Sequence, residues 1–425
     1  MNNYLNRLIE STIKEKMSLM GALLIEGPKW CGKSTTSETF AKTIIYMQDP
    51  EKREQYKLLA KSSASKFLDG DTPLLIDEWQ IIPFIWDAIR FEIDKRKEVG
   101  QFLLTGSTTP VDKTEITHSG TGRISRVIMR PMSLYESKDS NGNISLKKLF
   151  EKTNEYDISD KTDKTLDDIA FVLCRGGWPN ACVRNDESSL KLVYEYYNGL
   201  INSDMTKVDG IERDPRKVDL LLKSYSRNIS TECSNETIKN DMSKFEDNSL
   251  SIQTITNYIN ALQKIFVVEE LEAWTPNLRS KTTIRLSNTR HFVDPSIAIA
   301  SMAIGPNDLI NDLKYFGFLF EDLCIRDLRV YSELIDAKVY HYRDKSGLEC
   351  DAVIHKRNGD YALIEIKLYS DDNIEEGAKN LKALKAKINT DKMNEPKFMA
   401  VLTASPISYK REDGIYVISI FSLGP

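Results

Sequence analysis

An α/β protein of several domains is what the sequence predicts: a parallel sheet with a phosphate-binding loop, a helical middle that ends in a hairpin, and a second α/β unit. Three observations carry this. Strand-like apolar runs end in Gly-Pro-Lys-Trp-Cys-Gly-Lys-Ser at 27–34 and in Asp-Glu at 77–78. Helical periodicity dominates residues 165–264. A strand–turn–strand pattern over 350–368 puts two acids and a lysine within reach of one another.

At 425 residues the chain exceeds one ordinary core, so about two to four domains are expected. A content of 41% hydrophobic and 28% charged residues places it with folded, soluble chains. The apolar run Met20 to Ile25 falls far short of the ~20 residues of a membrane span, and no signal peptide or anchor is read. Cys31, Cys174, Cys182, Cys233, Cys324 and Cys350 show no CxxC pair or regular spacing, which argues against a disulfide framework or zinc site and for a reducing, cytoplasmic setting. With a net charge of −5, contact with DNA requires a local basic surface.

The first unit is read from a β-type run at 20–26, the segment Gly27, Pro28, Lys29, Trp30, Cys31, Gly32, Lys33, Ser34, and a helix expected from Thr35 to Thr43. Strand, GxxxxGK[ST], helix is the order in which loop N–H groups and a helix N-terminus surround a triphosphate. Lys33 then neutralises β/γ oxygens and Ser34 offers a hydroxyl to Mg²⁺. Pro73 to Glu78 reads as a strand ending in two acids, with Asp77 holding Mg²⁺ through water and Glu78 polarising the attacking water. The same acids are also residue types that cap a following helix, here expected over 83–97. The strand 101–107 ends in small hydroxyl residues, so Thr105 or Ser107 is the candidate γ-phosphate sensor, or that end is a plain turn.

Residues 21–37, 72–94 and 101–108 together resemble AAA+-like prokaryotic P-loop ATPases that carry an uncharacterised C-terminal region. The run Leu75-Ile76-Asp77-Glu78-Trp79-Gln80, then Pro83, then Ala88-Ile89, is similar to that family's Walker B segment. Gly120 to Arg126 and Arg130 to Glu136 resemble the segment that closes its ATPase domain. One departure is Lys29, where the family more often has arginine. Arg123 is either a γ-phosphate or subunit-bridging arginine, which leaves a homo-oligomer open, or a surface arginine paired with a carboxylate.

Residues 138–164 are polar with an Asn-Gly turn, and read as a linker or variable insertion. The helix expected over 251–264 has one apolar stripe at 255, 258, 259 and 262, and β-type stretches to Val293 follow, the order of a winged helix. Arg279, Lys281, Arg285 and Arg290 lie between Ala273 and Val293 without an intervening acid. They suit phosphate contact by a wing, or simply a solvated hairpin or a protein contact. The turn Gly176-Gly177-Trp178-Pro179 shows no chemistry of its own.

The C-terminal pattern is a strand 350–355, a turn 356–360 and a strand 361–368. Alternation puts Glu365 and Lys367 on one face, with Asp351 on the partner strand beside Glu365. This arrangement resembles the PD-(D/E)xK nucleases, a resemblance that implies Asp351 and Glu365 on Mg²⁺, Lys367 orienting or activating water, and Glu321 as a further acid from an upstream helix. Cys350 stands where the motif's leading proline is expected.

The expected organisation is an ATPase domain over 1–137, a linker over 138–164, a helical and winged-helix domain over 165–300, and a restriction-endonuclease-like domain over 301–425. The expected function is an ATP-hydrolysing, Mg²⁺-dependent protein acting on or regulated by DNA, with no membrane role. The alternative is an ATP-controlled switch for a protein partner, with a catalytically silent C-terminal platform.

Overall fold

The computed structural model describes residues 4–108, 116, 118–151, 156–205, 208–244, 250–276, 287–388 and 393–425. The N-terminal part runs α1 (Ile9–Leu19), β1 (Ala22–Glu26), α2 (Lys33–Glu38), β2 (Thr43–Tyr46), α3 (Arg53–Ser62), α4 (Ala64–Phe67), β3 (Leu74–Asp77), α5 (Ile85–Arg96), β4 (Phe102–Gly106) and β5 (Ile124–Ile128). Its five strands are all parallel in the order β2-β3-β4-β1-β5. Parallel pairing aligns the carboxyl ends of β1, β3 and β4 along one sheet edge, and helices cover both faces of their Leu/Ile runs.

Two local expectations are corrected. The helix expected over 35–43 stops at Glu38, because the β-branched run Thr43-Ile44-Ile45 joins the sheet as the edge strand β2. The segment 138–164 is not a free linker. It carries β6 (Ile144–Ser145), α6 (Leu146–Glu151) and β7 (Ser159–Lys161), and both strands pair with the C-terminal part. Its polar residues are the fastening: Asn141, Asn143 and Ser422 all hydrogen-bond the Asp160 carboxylate.

The middle contains α7 (Leu166–Arg175), α8 (Pro179–Arg184), α9 (Glu187–Gly199) continuing into a π-helical stretch (Leu200–Asp204), α10 (Pro215–Arg227), α11 (Asn235–Met242) and α12 (Ile252–Lys264). The antiparallel pair β8 (Val268–Leu271) and β9 (Thr289–Phe292) comes next, followed by α13 (Ser296–Met302) and α14 (Pro306–Asn311). Ser251 caps α12 by accepting from Thr254 N at 3.1 Å, and the stripe Ile255, Tyr258, Ile259, Leu262 is buried as its spacing requires. Of the four hairpin cations, Arg279, Lys281 and Arg285 lie outside the described residues. Arg290 is buried, with its guanidinium on Cys233 O and Asn235 Oδ1, so it cannot extend to a phosphate.

The C-terminal part begins with the 21-residue helix α15 (Leu313–Glu333), about 31 Å long. It continues with the antiparallel strands β10 (Ala337–Arg343), β11 (Glu349–Lys356) and β12 (Tyr361–Lys367), then α16 (Asp371–Lys387), β13 (Met399–Thr403), β14 (Ile407–Lys410), β15 (Tyr416–Ser419) and β16 (Leu423–Gly424). The mixed sheet has the order β10-β11-β12-β13-β15-β14-β7. Among the described residues, no helix is long and apolar enough to cross a membrane.

A buried node ties the three parts together. Arg326 on α15 donates to Asp294 Oδ2 at 2.8 Å and to Asp327 Oδ1 at 2.7 and 2.9 Å. Asp294 also accepts from Gly177 N at 2.9 Å, and Asp327 from Leu134 N at 2.9 Å. Replacing Arg326 by methionine strands two buried carboxylates. The Arg326→Met protein is therefore expected to lose about 3–5 kcal/mol of stability in denaturant titration, and an unchanged midpoint would refute the node's role.

Candidate functional site

The phosphate loop leaves β1 at Gly27, whose φ is 154°. A Cβ there would lie 2.2 Å from Met129 O, so only glycine lets β1 turn beneath the end of β5. Trp30 (φ 67°) and Gly32 (φ 96°) also have positive φ. For a bulky side chain such as that of Trp30 the left-handed conformation costs about 1–2 kcal/mol. The Lys33 ammonium is buried and donates to the loop's own carbonyls, Gly27 O at 3.0 Å and Pro28 O at 2.8 Å. An incoming phosphate would offer this ammonium anionic acceptors in place of neutral carbonyls.

The acids lie beside the loop. Ser34 Oγ donates to Asp77 Oδ1 at 2.6 Å. Because β4 separates β1 from β3, Thr105 also reaches Asp77 Oδ1 at 2.6 Å, and it accepts from Glu78 N at 3.1 Å. Glu78 itself adopts φ 58°, with Ser107 Oγ 3.2 Å from its Oε2 and the Gln80 amide on the same oxygen. Thr105 and Ser107 thus each hold one acid. Gln80, to which sequence reasoning gave no role, could have been flagged only by its place two residues after Glu78.

Arg123 is brought to a different place. Its carbonyl accepts from Ala22 N at the opposite end of β1, about 16 Å of strand from Gly27, and its guanidinium pairs with Asp94 at 2.9 Å. Of the two readings of Arg123, within one chain the structure places the surface arginine paired with a carboxylate, and not the γ-phosphate contact. The arginine that does touch the loop is Arg7, fully paired with Glu136 at 2.9 Å and donating to Cys31 O at 2.6 Å. Beside it opens a cavity of about 430 Å³ lined by Tyr4 to Leu8, Tyr135, Glu136, Lys138 and Ser140. The Tyr4 hydroxyl meets Thr36 of α2 at 3.3 Å, so this cavity adjoins the helix that follows the loop.

The second cluster lies on β11, β12 and α15. The register pairs Ala352 with Ile364 and thereby sets Asp351 alongside Glu365. Ile366 N donates to Asp351 Oδ2 at 2.6 Å. Lys367 Nζ lies 2.8 Å from Glu365 Oε2 and 3.8 Å from Asp351 Oδ2. Glu365 is 1% exposed, so its carboxylate meets the Lys367 ammonium away from solvent. Its face of β12 is covered by α16, where Gly377 leaves room for it.

Burial, reinforced by the Asp351 charge, pushes the Glu365 carboxyl up to about 8 although Lys367 pulls the other way. Burial and the charge of Asp351 likewise raise Glu321 well above the carboxylate range. Burial raises Asp351 too, against the pull of Lys367. Burial lowers Lys367, but the two acids outweigh it and hold the ammonium charged. Among the described residues no three His, Cys, Asp or Glu side chains gather closely enough to enclose a metal ion.

In the unfolded chain Glu365 gives up its proton near pH 4.5, and in the fold only near pH 8. Stability from this group is therefore complete below pH 4.5 and is lost as pH rises to about 8. Glu365→Gln should melt above wild type at pH 8, with the difference shrinking toward pH 4.5. A difference that does not vary with pH would contradict the raised carboxyl.

Three family matches follow one another along the chain. Residues 20–138 match the AAA domain, residues 166–308 a domain of unknown function (DUF8612), and residues 316–423 a second domain of unknown function (DUF4143). No curated protein matches the chain. Among solved structures, a DNA replication initiation factor is 14% identical, with 60% of this chain and 87% of that chain covered and a TM-score of 0.22. A structure of Drosophila ORC bound to DNA is 9% identical over 70% and 85%, with a TM-score of 0.20. Superpositions this loose bear on neither fold nor function.

Proposed function

We propose that the chain is a Mg²⁺-dependent ATPase whose nucleotide state governs a nuclease-like C-terminal site acting on DNA. The observation that carries the ATPase reading is the convergence of Lys33, Ser34, Asp77, Glu78 and Thr105 at one sheet edge, with Ser34 and Asp77 joined at 2.6 Å. These oxygen donors fit magnesium: Ser34 would ligate it directly and Asp77 through water, and bound there it would offset phosphate charge. Loop amides from Lys29 to Thr35 and the Lys33 ammonium receive the phosphates. The cavity at Tyr4–Leu8 suits an adenine base. Glu78, held by Ser107 and Gln80 through one oxygen, has the other available to orient water. Arg123 is assigned, if to any phosphate, to that of a neighbouring copy.

For the C-terminal site, the buried Glu365 carboxylate, reached at Oε2 by the Lys367 ammonium, is of the kind that a divalent cation satisfies, with Asp351 and Glu321 nearby. The helix, three antiparallel strands, helix and parallel strand from α15 to β13 support a restriction-endonuclease-like reading. The α12–β8–β9 order supports a winged helix. A second reading, a silent platform serving an ATP-controlled switch, is favoured by the ammonium already seated between the carboxylates and by the lack of a ready three-ligand group among the described residues.

ATP turnover with and without single-stranded, double-stranded and branched DNA separates these readings. Lys33→Ala should abolish turnover, and Glu78→Gln should slow it by about 10²–10⁴-fold. Glu365→Ala should keep turnover and lose Mg²⁺-dependent cleavage. If DNA neither binds nor changes the rate, the DNA part of the proposal fails. If Glu365→Ala retains every activity of the wild type, the switch stands.

A further inference from the structure

The phosphate loop is touched at three positions by the helical middle. Lys29 Nζ lies 2.5 Å from Asp204 Oδ1. The Trp30 ring sits 5.7 Å from that of Tyr196 on α9. Pro179 of α8 lies 3.5 Å from the position a Gly32 side chain would take. Tyr196 is backed by Trp178 at 4.3 Å, and Trp178 Nε1 is fixed on Ser296 Oγ at 3.0 Å.

Trp30 is a bulky residue held at φ 67° inside the loop whose amides must converge on phosphate. Such a conformation persists only where the surroundings over-determine it. The indole is half exposed, and Tyr196 is its one aromatic neighbour among the described residues. The stretch bearing Asp204 is π-helical, so the carboxylate points where an α-helical continuation of α9 would not send it.

We infer that Tyr196 and Asp204 are positioning residues for nucleotide: through Trp30 and Lys29 they hold the phosphate loop in its binding shape before ATP arrives. This rests on the ATP reading above. A loop ordered in advance loses less freedom on binding. By linkage, whatever affinity the middle gives the loop, bound nucleotide returns as a tighter middle.

The test is calorimetric titration of Mg-ATP into the full chain. Tyr196→Ala should weaken affinity about tenfold, and Asp204→Asn, whose partner Lys29 is half exposed, about threefold. In a Trp30→Gly background, where glycine takes the left-handed conformation freely, adding Tyr196→Ala should change affinity by less than about twofold. That rescue distinguishes positioning from a general loss of packing. Equal losses in both backgrounds, or wild-type affinity in Tyr196→Ala, overturn the inference. Should Tyr196→Ala fail to fold, undiminished affinity in Asp204→Asn overturns it alone. A folded wild type that takes up no nucleotide refutes the ATPase reading instead.

Discussion

The interaction on which most of the architecture depends is the Arg326 guanidinium, closed off from solvent between Asp294 and Asp327. Each partner carries a second load. Asp294 also receives the Gly177 amide and both donors of Ser296, and Asp327 also receives the Leu134 amide and the Tyr331 hydroxyl. The node thus fixes the turn before α8, the segment leaving the parallel sheet, and the long helix α15 in one frame. Buried charges tolerate this only when each is paired and its remaining lone pairs are filled, as they are here.

With that frame in place, the two candidate sites are ends of one object. α15 presents Glu321 to the carboxylate cluster on β11 and β12, and near its other end Glu333 approaches Arg130, just beyond β5. Arg130 also grips Glu269 on the hairpin strand β8, and Arg329 of α15 shares that acid. A displacement at the sheet edge that bears the phosphate loop has few ways to leave α15 unmoved. The segment 138–164, whose β7 joins the C-terminal mixed sheet and whose β6 pairs with β16 beside it, shortens the connection further.

What was legible in the sequence was local. Gly27 to Ser34 and Asp77-Glu78 could be read because each is a pattern of residue types at adjacent positions, visible without the fold. The alternation of Glu365 and Lys367 was legible because a strand has a period of two. The resemblance to AAA+-like ATPases is matched by the AAA domain over 20–138, whereas the two later matches are to domains of unknown function. What could not be read was tertiary. No pattern announces that Asp204 meets Lys29 across 175 positions, or that polar 138–164 completes a distant sheet. Arg123 was open between a phosphate contact and a surface ion pair for the same reason, and the parallel pairing of β5 with β1 sets it at the amino end of β1, where it pairs with Asp94.

The central claim is that amides of 27–35, Lys33, and the Ser34–Asp77 pair bind ATP with magnesium. Titrating ATP into the folded wild type in the presence of Mg²⁺, and again after chelation, tests it most directly. The account predicts saturation at one nucleotide per chain, with affinity falling when the metal is removed. Well-folded protein that releases no heat, or binds equally without metal, would contradict it.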